Sequence, residues 1–351
     1  MINVKSMKLF SLVFFVSILI TGCVDKTDTT NIAETNESTT IAIITTPTGG
    51  DCDVIESSSL SEDSLEENTQ YLPNSISGNL LTEVNEQTLN LNLSQNEYVA
   101  DACNEGIAVL RLNYNGSADS EITTVDSSEV RIVDLDGNTV SSFEIDNTNI
   151  PLLKFDCSNI IHAFFWDGIS TTHIAYDIAG NELSDSSYSL NFQVYAEASA
   201  FDTNGYFYSL SYDWSTSSKQ AVMISPAGEI VASKNESNST NSIITVNGVP
   251  YMVRQNENSS YIDLIPVAEY VQNLDYERIR IEDIGAIYPF GGLGGFYYYD
   301  LVNHRICAYD IESFLSIVLL ENVPNAPDHR IAVGDEFIVV SSGCDSPTIL
   351  R

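Results

Sequence analysis

Several groups of residues in this 351-residue chain have types and spacings that could do chemistry. His162 and His173 flank Asp167-Gly168. If Asp-Gly forms a two-residue hairpin turn, position 162 pairs with 173 across the ladder and two imidazoles face each other. With a carboxylate such as Asp156 or Asp177 beside them, they are a weak candidate set for a metal ion, which needs further ligands within reach. Otherwise both are ordinary polar residues of a strand. His304 and His329 have no recognisable partners.

Asp134-Leu135-Asp136-Gly137-Asn138 begins like a calcium loop, but Thr139 and Ile145 stand at its sixth and twelfth positions, where such a loop needs Gly and Glu. A hairpin turn accounts for it better. Gly291-Gly292-Leu293-Gly294-Gly295 lacks the Lys-Ser/Thr ending of a phosphate loop. It also lacks the strand–turn–helix setting of a dinucleotide site, so it reads as a connection in a β-rich fold. Tyr206-Phe207-Tyr208, Tyr212, Trp214 and Tyr297-Tyr298-Tyr299 are rings that could stack on sugars. Strands also favour such residues for packing. No Gly-x-Ser-x-Gly elbow supports a nucleophilic serine. The 49 acids could hide a glycosidase carboxylate pair, whose separation the sequence does not set. No cofactor is expected.

The elements that must position these residues recur along the chain. From about residue 95 onward, runs of Tyr, Val, Ile, Phe and Thr are broken by Asn, Gly, Asp and Ser, the pattern of short strands and turns. A turn enters a strand at Gly106, Asn159, Gly205, Gly248, Gly295 and Gly334. A second strand follows in the first five units and ends in a turn near Asp134, Asp177, Ser225, Asp263 and Asp310, a spacing of roughly 40–50 residues. About four strands per such unit resembles a β-propeller blade, in which sheets that cannot cover their own faces stack radially. The resemblance covers about residues 78–351 and is to extracytoplasmic propellers of six or seven blades; six are favoured. The sixth unit stops after Thr348-Ile349-Leu350, and residues 78–94 are expected to supply its outer strand, joining the two ends of the domain. The alternative is a pair of β-sandwich domains.

The N-terminus carries an address. Lys5 and Lys8 precede a mostly apolar run, Leu9 to Ile20, too short to span a bilayer and suited to a secretory signal. Ile20-Thr21-Gly22-Cys23 follows and resembles the lipobox of bacterial lipoproteins. That resemblance implies cleavage between Gly22 and Cys23 and a diacylglycerol thioether on Cys23. Residues 1–22 are then the signal peptide. Residues 23–75, rich in Ser and Thr with eleven acids and Lys26 as the one base, read as a disordered tether. Residues 76–351 are the propeller-like domain. Of the other cysteines, Cys52, Cys103, Cys157, Cys307 and Cys344, the pair Cys103 and Cys157 occupies similar places in neighbouring units. Buried thiols or a disulfide both fit them.

The net charge of −35 repels nucleic-acid backbones and anionic headgroups alike. Nucleic acid is therefore not expected as a partner, and membrane contact is expected through the lipid alone, on the extracytoplasmic face of a bacterial membrane. Three function classes remain. The favoured one is a non-catalytic surface module binding a protein, peptide or glycan. The others are an extracellular carbohydrate-active enzyme, hydrolase or lyase, and an accessory subunit of an envelope or transport complex.

Overall fold

The computed structural model describes residues 70–351 except for 83, 85, 89–90, 92, 94–95, 104–105, 116–123, 157, 184–185, 214–217, 237–239, 257–260, 324–328, 335 and 343–346. Gly22, Cys23, Cys52, Cys157, Trp214 and Cys344 lie outside the described residues, as does the segment 1–69.

The described residues form a six-bladed β-propeller of four-stranded antiparallel sheets. The closing strand β1 is Glu86–Thr88. Blade 1 holds β2 (Glu97–Cys103), β3 (Gly106–Asn115), β4 (Thr124–Val133) and β5 (Thr139–Ile145). Blade 2 holds β6 (Pro151–Phe155), β7 (Ile161–Trp166), β8 (Thr171–Tyr176) and β9 (Tyr188–Leu190). Blade 3 holds β10 (Ser199–Phe201), β11 (Phe207–Asp213), β12 (Ser218–Ile224) and β13 (Ile230–Glu236). Blade 4 holds β14 (Thr240–Val246), β15 (Val249–Gln255), β16 (Tyr261–Pro266) and β17 (Ile279–Glu282), with the short helix α1 (Val267–Val271) between its last two strands. Blade 5 holds β18 (Ile287–Phe290), β19 (Gly295–Asp300), β20 (Arg305–Asp310) and β21 (Leu315–Leu320). Blade 6 holds β22 (His329–Val333), β23 (Ile338–Ser342) and β24 (Thr348–Leu350), completed by β1.

Each gap between adjacent blades contains its own apolar core, and there are six such cores among the described residues. This explains why the strands read as continuous apolar runs: successive side chains point to opposite faces, and both faces of a blade are covered. In β3, Ile107 and Val109 pack toward blade 6 while Ala108 and Leu110 pack toward blade 2. In β19, Phe296 and Tyr298 pack toward blade 4, and Tyr297 and Tyr299 toward blade 6. The tyrosine triplet is thus packing, not a sugar platform. Each fully buried side chain of this size contributes about 1.5–3 kcal/mol.

The turns repeat a second device. Asp134 Oδ1 accepts from the backbone N–H groups of Asp136 and Asn138. Asp177 does the same with Ala179 and Asn181, and Asp156 with Ser158 and Ile160. These bonds occupy the carboxylate and explain Asp134-Leu135-Asp136-Gly137 as a hairpin turn. Near the end of two turns, one led by Asp177 and one by Ser225, a glycine is required. Gly180 (φ +87°) sits against Phe143, and Gly228 (φ +85°) against Tyr188, so a Cβ there would come within 2.4 and 2.3 Å of the ring-bearing Cβ of the preceding blade.

The ring closes as expected from the sequence: Glu86, Gln87 and Thr88 pair antiparallel with Leu350, Ile349 and Thr348. One expectation changes. Asp263 is not a turn residue. It lies within β16, 3% exposed, and is paired with Arg280 at 2.8 Å and Arg278 at 3.5 Å. The apolar run continues through Ile265, and Pro266 ends the strand at the N-terminus of α1. The glycine-rich run 291–295 is a connection within the β-fold, joining β18 to β19 inside blade 5. Its glycines permit close approach to blade 4: Gly292 N–H donates to Thr245 O at 2.9 Å, and a Cβ on Gly291 would lie 2.4 Å from that oxygen.

Residues 70–81 also belong to the propeller surface. Tyr71 donates through its hydroxyl to Asp202 Oδ2 and stacks on Tyr206 at 3.9 Å. Its backbone N–H and C=O pair with the Gln272 side chain. Ile76 N–H donates to Asn247 O, and Leu81 N–H to the Tyr297 hydroxyl.

Candidate functional site

The two candidate histidines do meet, although not as direct partners. The loop between β7 and β8 has four residues, Asp167–Ser170, because Asp167 Oδ1 accepts from Ile169 and Ser170 N–H and closes a wider turn than Asp-Gly alone. The register therefore pairs His162 with Ala175 and His173 with Phe164. An even shift keeps both imidazoles on one face, and diagonal neighbours on a face remain in reach. His162 Nδ1 lies 2.9 Å from His173 Nε2.

This pair is wedged between blades 2 and 3. His162 stacks on Phe201 of β10 at 3.8 Å, and His173 on Tyr188 of β9 at 4.1 Å. Exposure is 7% for His162 and 1% for His173. Burial, then the neighbouring His162, pushes the His173 pKa down to about 3, partly offset by the Ser186 backbone. The outward nitrogen of His162, Nε2, makes no hydrogen bond among the described residues. Asp156 Oδ2 is 3.3 Å from His162 Nε2, near enough to feel a charge but out of line for a hydrogen bond.

For a metal the geometry is poor. The facing nitrogens share a proton instead of converging on a vacant point, and among the described residues no three His, Cys, Asp or Glu side chains form a metal-holding group. Asp177 is spent on its own turn. His304 has a partner the sequence did not reveal: its Nδ1 lies 2.9 Å from the Tyr299 hydroxyl. His329 is in β22, opposite Ser342. Cys103 ends β2, its Sγ 3.1 Å from Asn159 Oδ1 in the first turn of blade 2. Cys307 is buried in the core between blades 4 and 5.

A second feature of the blade 2–blade 3 gap is open to solvent. The face of β7 toward blade 3 carries His162, Phe164 and Trp166 in alternation; the first two are covered by Phe201 and Phe207. On blade 3, Phe207, Val222 and Ile224 belong to the same core. Blade 2 is the shorter sheet: β7 and β8 have six residues each, while β11, β12 and β13 have seven. Beyond the covered part a groove of about 420 Å³ remains. Trp166 and Phe192 lie on the blade 2 side, with Asn191 and Gln193 from the connection to blade 3. Ser211, Gln220 and Ser233 come from blade 3. None of its described lining residues is charged, in a chain with 49 acids. No local sequence pattern signals this groove, because its lining comes from two separate blades and the connection between them.

No protein-family model and no curated protein sequence matches the chain. Among solved structures, a catalytically inactive virginiamycin B lyase from Staphylococcus aureus with quinupristin is similar at 12% identity, over 77% of this chain and 99% of that one, with a TM-score of 0.43. The β-propeller domain of the Trilobed protease from Pyrococcus furiosus is similar at 9% identity, over 70% and 78%, with a TM-score of 0.43. The WD40 domain of Toxoplasma gondii coronin is similar at 11% identity, over 79% and 87%, with a TM-score of 0.42. Likeness at that level says nothing of activity or ligand.

Proposed function

We propose that the chain is a lipoprotein held by Cys23 on the extracytoplasmic face of a bacterial membrane, and that its propeller is a non-catalytic binding module for a protein, peptide or glycan. The groove between blades 2 and 3 carries the binding half of this reading: it is open, partly apolar and rimmed by a few amides and hydroxyls, the make-up of a recognition site. Its described lining holds no carboxylate or histidine, the groups that most often serve as acid and base in glycoside cleavage. The histidine pair, the best-placed titratable group nearby, is sealed in the core. The anchor half rests on the Ile20-Thr21-Gly22-Cys23 motif after an apolar run. With a net charge of −35, nucleic acid is not a partner on this reading.

Metabolic labelling with a clickable fatty acid tests the anchor. The full chain is expected to carry the label and fractionate with membranes, and Cys23→Ala to lose both. A labelled or membrane-bound Cys23→Ala variant would overturn the anchor. For the module, any ligand found is expected to be recovered chemically unchanged after long incubation with the protein; product formation would move the chain to the enzyme class.

A further inference from the structure

We infer that the groove between blades 2 and 3 takes a neutral carbohydrate, with one sugar ring stacked on Trp166. This rests on the reading of the propeller as a binding module and names its ligand class. Trp166 is the last residue of β7. It shares the blade-3 face with His162 and Phe164, yet extends beyond the rings that cover them and is partly exposed. Phe192 and Tyr212 also line the groove; Phe192 is buried in the core between the blades, and the alternation along β11 starts the Tyr212 side chain on the opposite face from Ser211, so Trp166 is the ring placed to stack.

Opposite it, Ser211 and Gln220 are direct partners across β11 and β12, and Ser233 pairs with Val222 one strand further out. Gln220 is held in place by Asn235, 3.2 Å away. Amides and hydroxyls both donate and accept, which matches a ligand whose polar groups are themselves hydroxyls. An indole face against the C–H face of a pyranose supplies the apolar half of the contact.

Other ligand classes fit less well. A cation finds no counter-charge in the described lining, and phosphates or uronates meet the repulsive field of the chain's net charge of −35. A purely apolar ligand would strip water from the amides and hydroxyls without replacing its hydrogen bonds. An extended peptide pairs best with a free strand edge, whereas this wall is a sheet face whose backbone already runs in ladders. The volume of about 420 Å³ lies within the range of roughly 300–1,000 Å³ typical of small-molecule sites.

The test is a fluorescence titration of the full chain with glucose, galactose, mannose, N-acetylglucosamine and their 1,4-linked disaccharides. The chain has two tryptophans, Trp166 and Trp214. At least one sugar is expected to change the emission saturably. Trp166→Ala is expected to weaken binding at least ~tenfold, as aromatic anchors do, and Gln220→Ala severalfold. Trp166→Ala could act by unfolding, so Ser233→Tyr is the second variant. It fills the groove from its rim, removes nothing from the core, and is expected to abolish binding with the melting temperature retained. A panel with no saturable response, or sugar binding that survives Ser233→Tyr, overturns the inference. A peptide or protein ligand displaced by Ser233→Tyr overturns the sugar assignment while leaving the binding module intact. A ligand of any class indifferent to both variants removes the groove from both readings.

Discussion

Acid is expected to weaken the blade 2–blade 3 gap through His173. In the native state burial holds its pKa down to about 3, against an ordinary value of about 6.5 in the unfolded chain. A histidine with a lowered native pKa gives full stability above the unfolded value, and that stability falls with pH as the unfolded state gains a proton the native state refuses. At pH 5 the unfolded imidazole is almost fully protonated and the native one is not, which removes about 2 kcal/mol relative to pH 7.5. Below pH 5 the many carboxylates begin to titrate, so the window must stay above it. The reference variant is His173→Phe, which keeps a ring between Phe164 and Tyr188, whose centroids lie 4.8 and 4.1 Å from that of His173. Urea melts of both proteins at pH 7.5 and pH 5 give the two losses. The wild type is expected to lose about 2 kcal/mol more than the variant. Equal losses, or a His173 ring resonance that titrates near 6.5 in the folded protein, would refute the reasoning.

Other consequences are equally open to measurement. Gly228→Ala places a Cβ 2.3 Å from Tyr188 Cβ at φ +85° and is expected to cost about 2–4 kcal/mol in thermal melts. Gly168→Ala, at φ +100° with nothing within 4 Å, is expected to cost about 1 kcal/mol. Deleting residues 1–88 leaves β24 with a free edge, so the amides of Thr348–Leu350 are expected to lose hydrogen-exchange protection; retained protection would argue against closure by β1. The Asn181 side chain and the turn's backbone N–H groups hold the Asp177 carboxyl below the usual range. Its contribution is therefore present above the ordinary carboxylate pKa and lost as pH falls through the lower native one. A carbon-detected titration of Asp177 with a midpoint at or above 3.8 would contradict this.

The parts legible in the sequence were those written into single strands and turns. The second and third strands of each blade carry long β-branched or aromatic runs, and Asp-led turns end several of them. Their recurrence was enough to name the architecture, and the truncated last unit was enough to name the strand that closes it. The innermost strands were harder to see. β10 is only Ser199–Phe201 and β18 reads Ile-Tyr-Pro-Phe, too short to show a period. Asp263 misled because an acid after an apolar run looks like a turn, while here Arg278 and Arg280 neutralise it within the sheet. For His162 and His173 the shared face was readable and the register was not, since one side chain, Asp167, decides the turn length. The groove and the docking of residues 70–81 depend on how separate blades match, which no local pattern encodes.

The docking of residues 70–81 also sets a mechanical load path. A pull applied at Gln70 first meets Tyr71, held by Asp202 and by both ends of the Gln272 amide. It next meets Ile76 on Asn247 and Leu81 on Tyr297. Tension is thus distributed over blades 3, 4 and 5 before it reaches the three-residue strand β1. The seam that joins the two ends of the ring is a ladder of only three residue pairs, and this fastening acts as its strain relief.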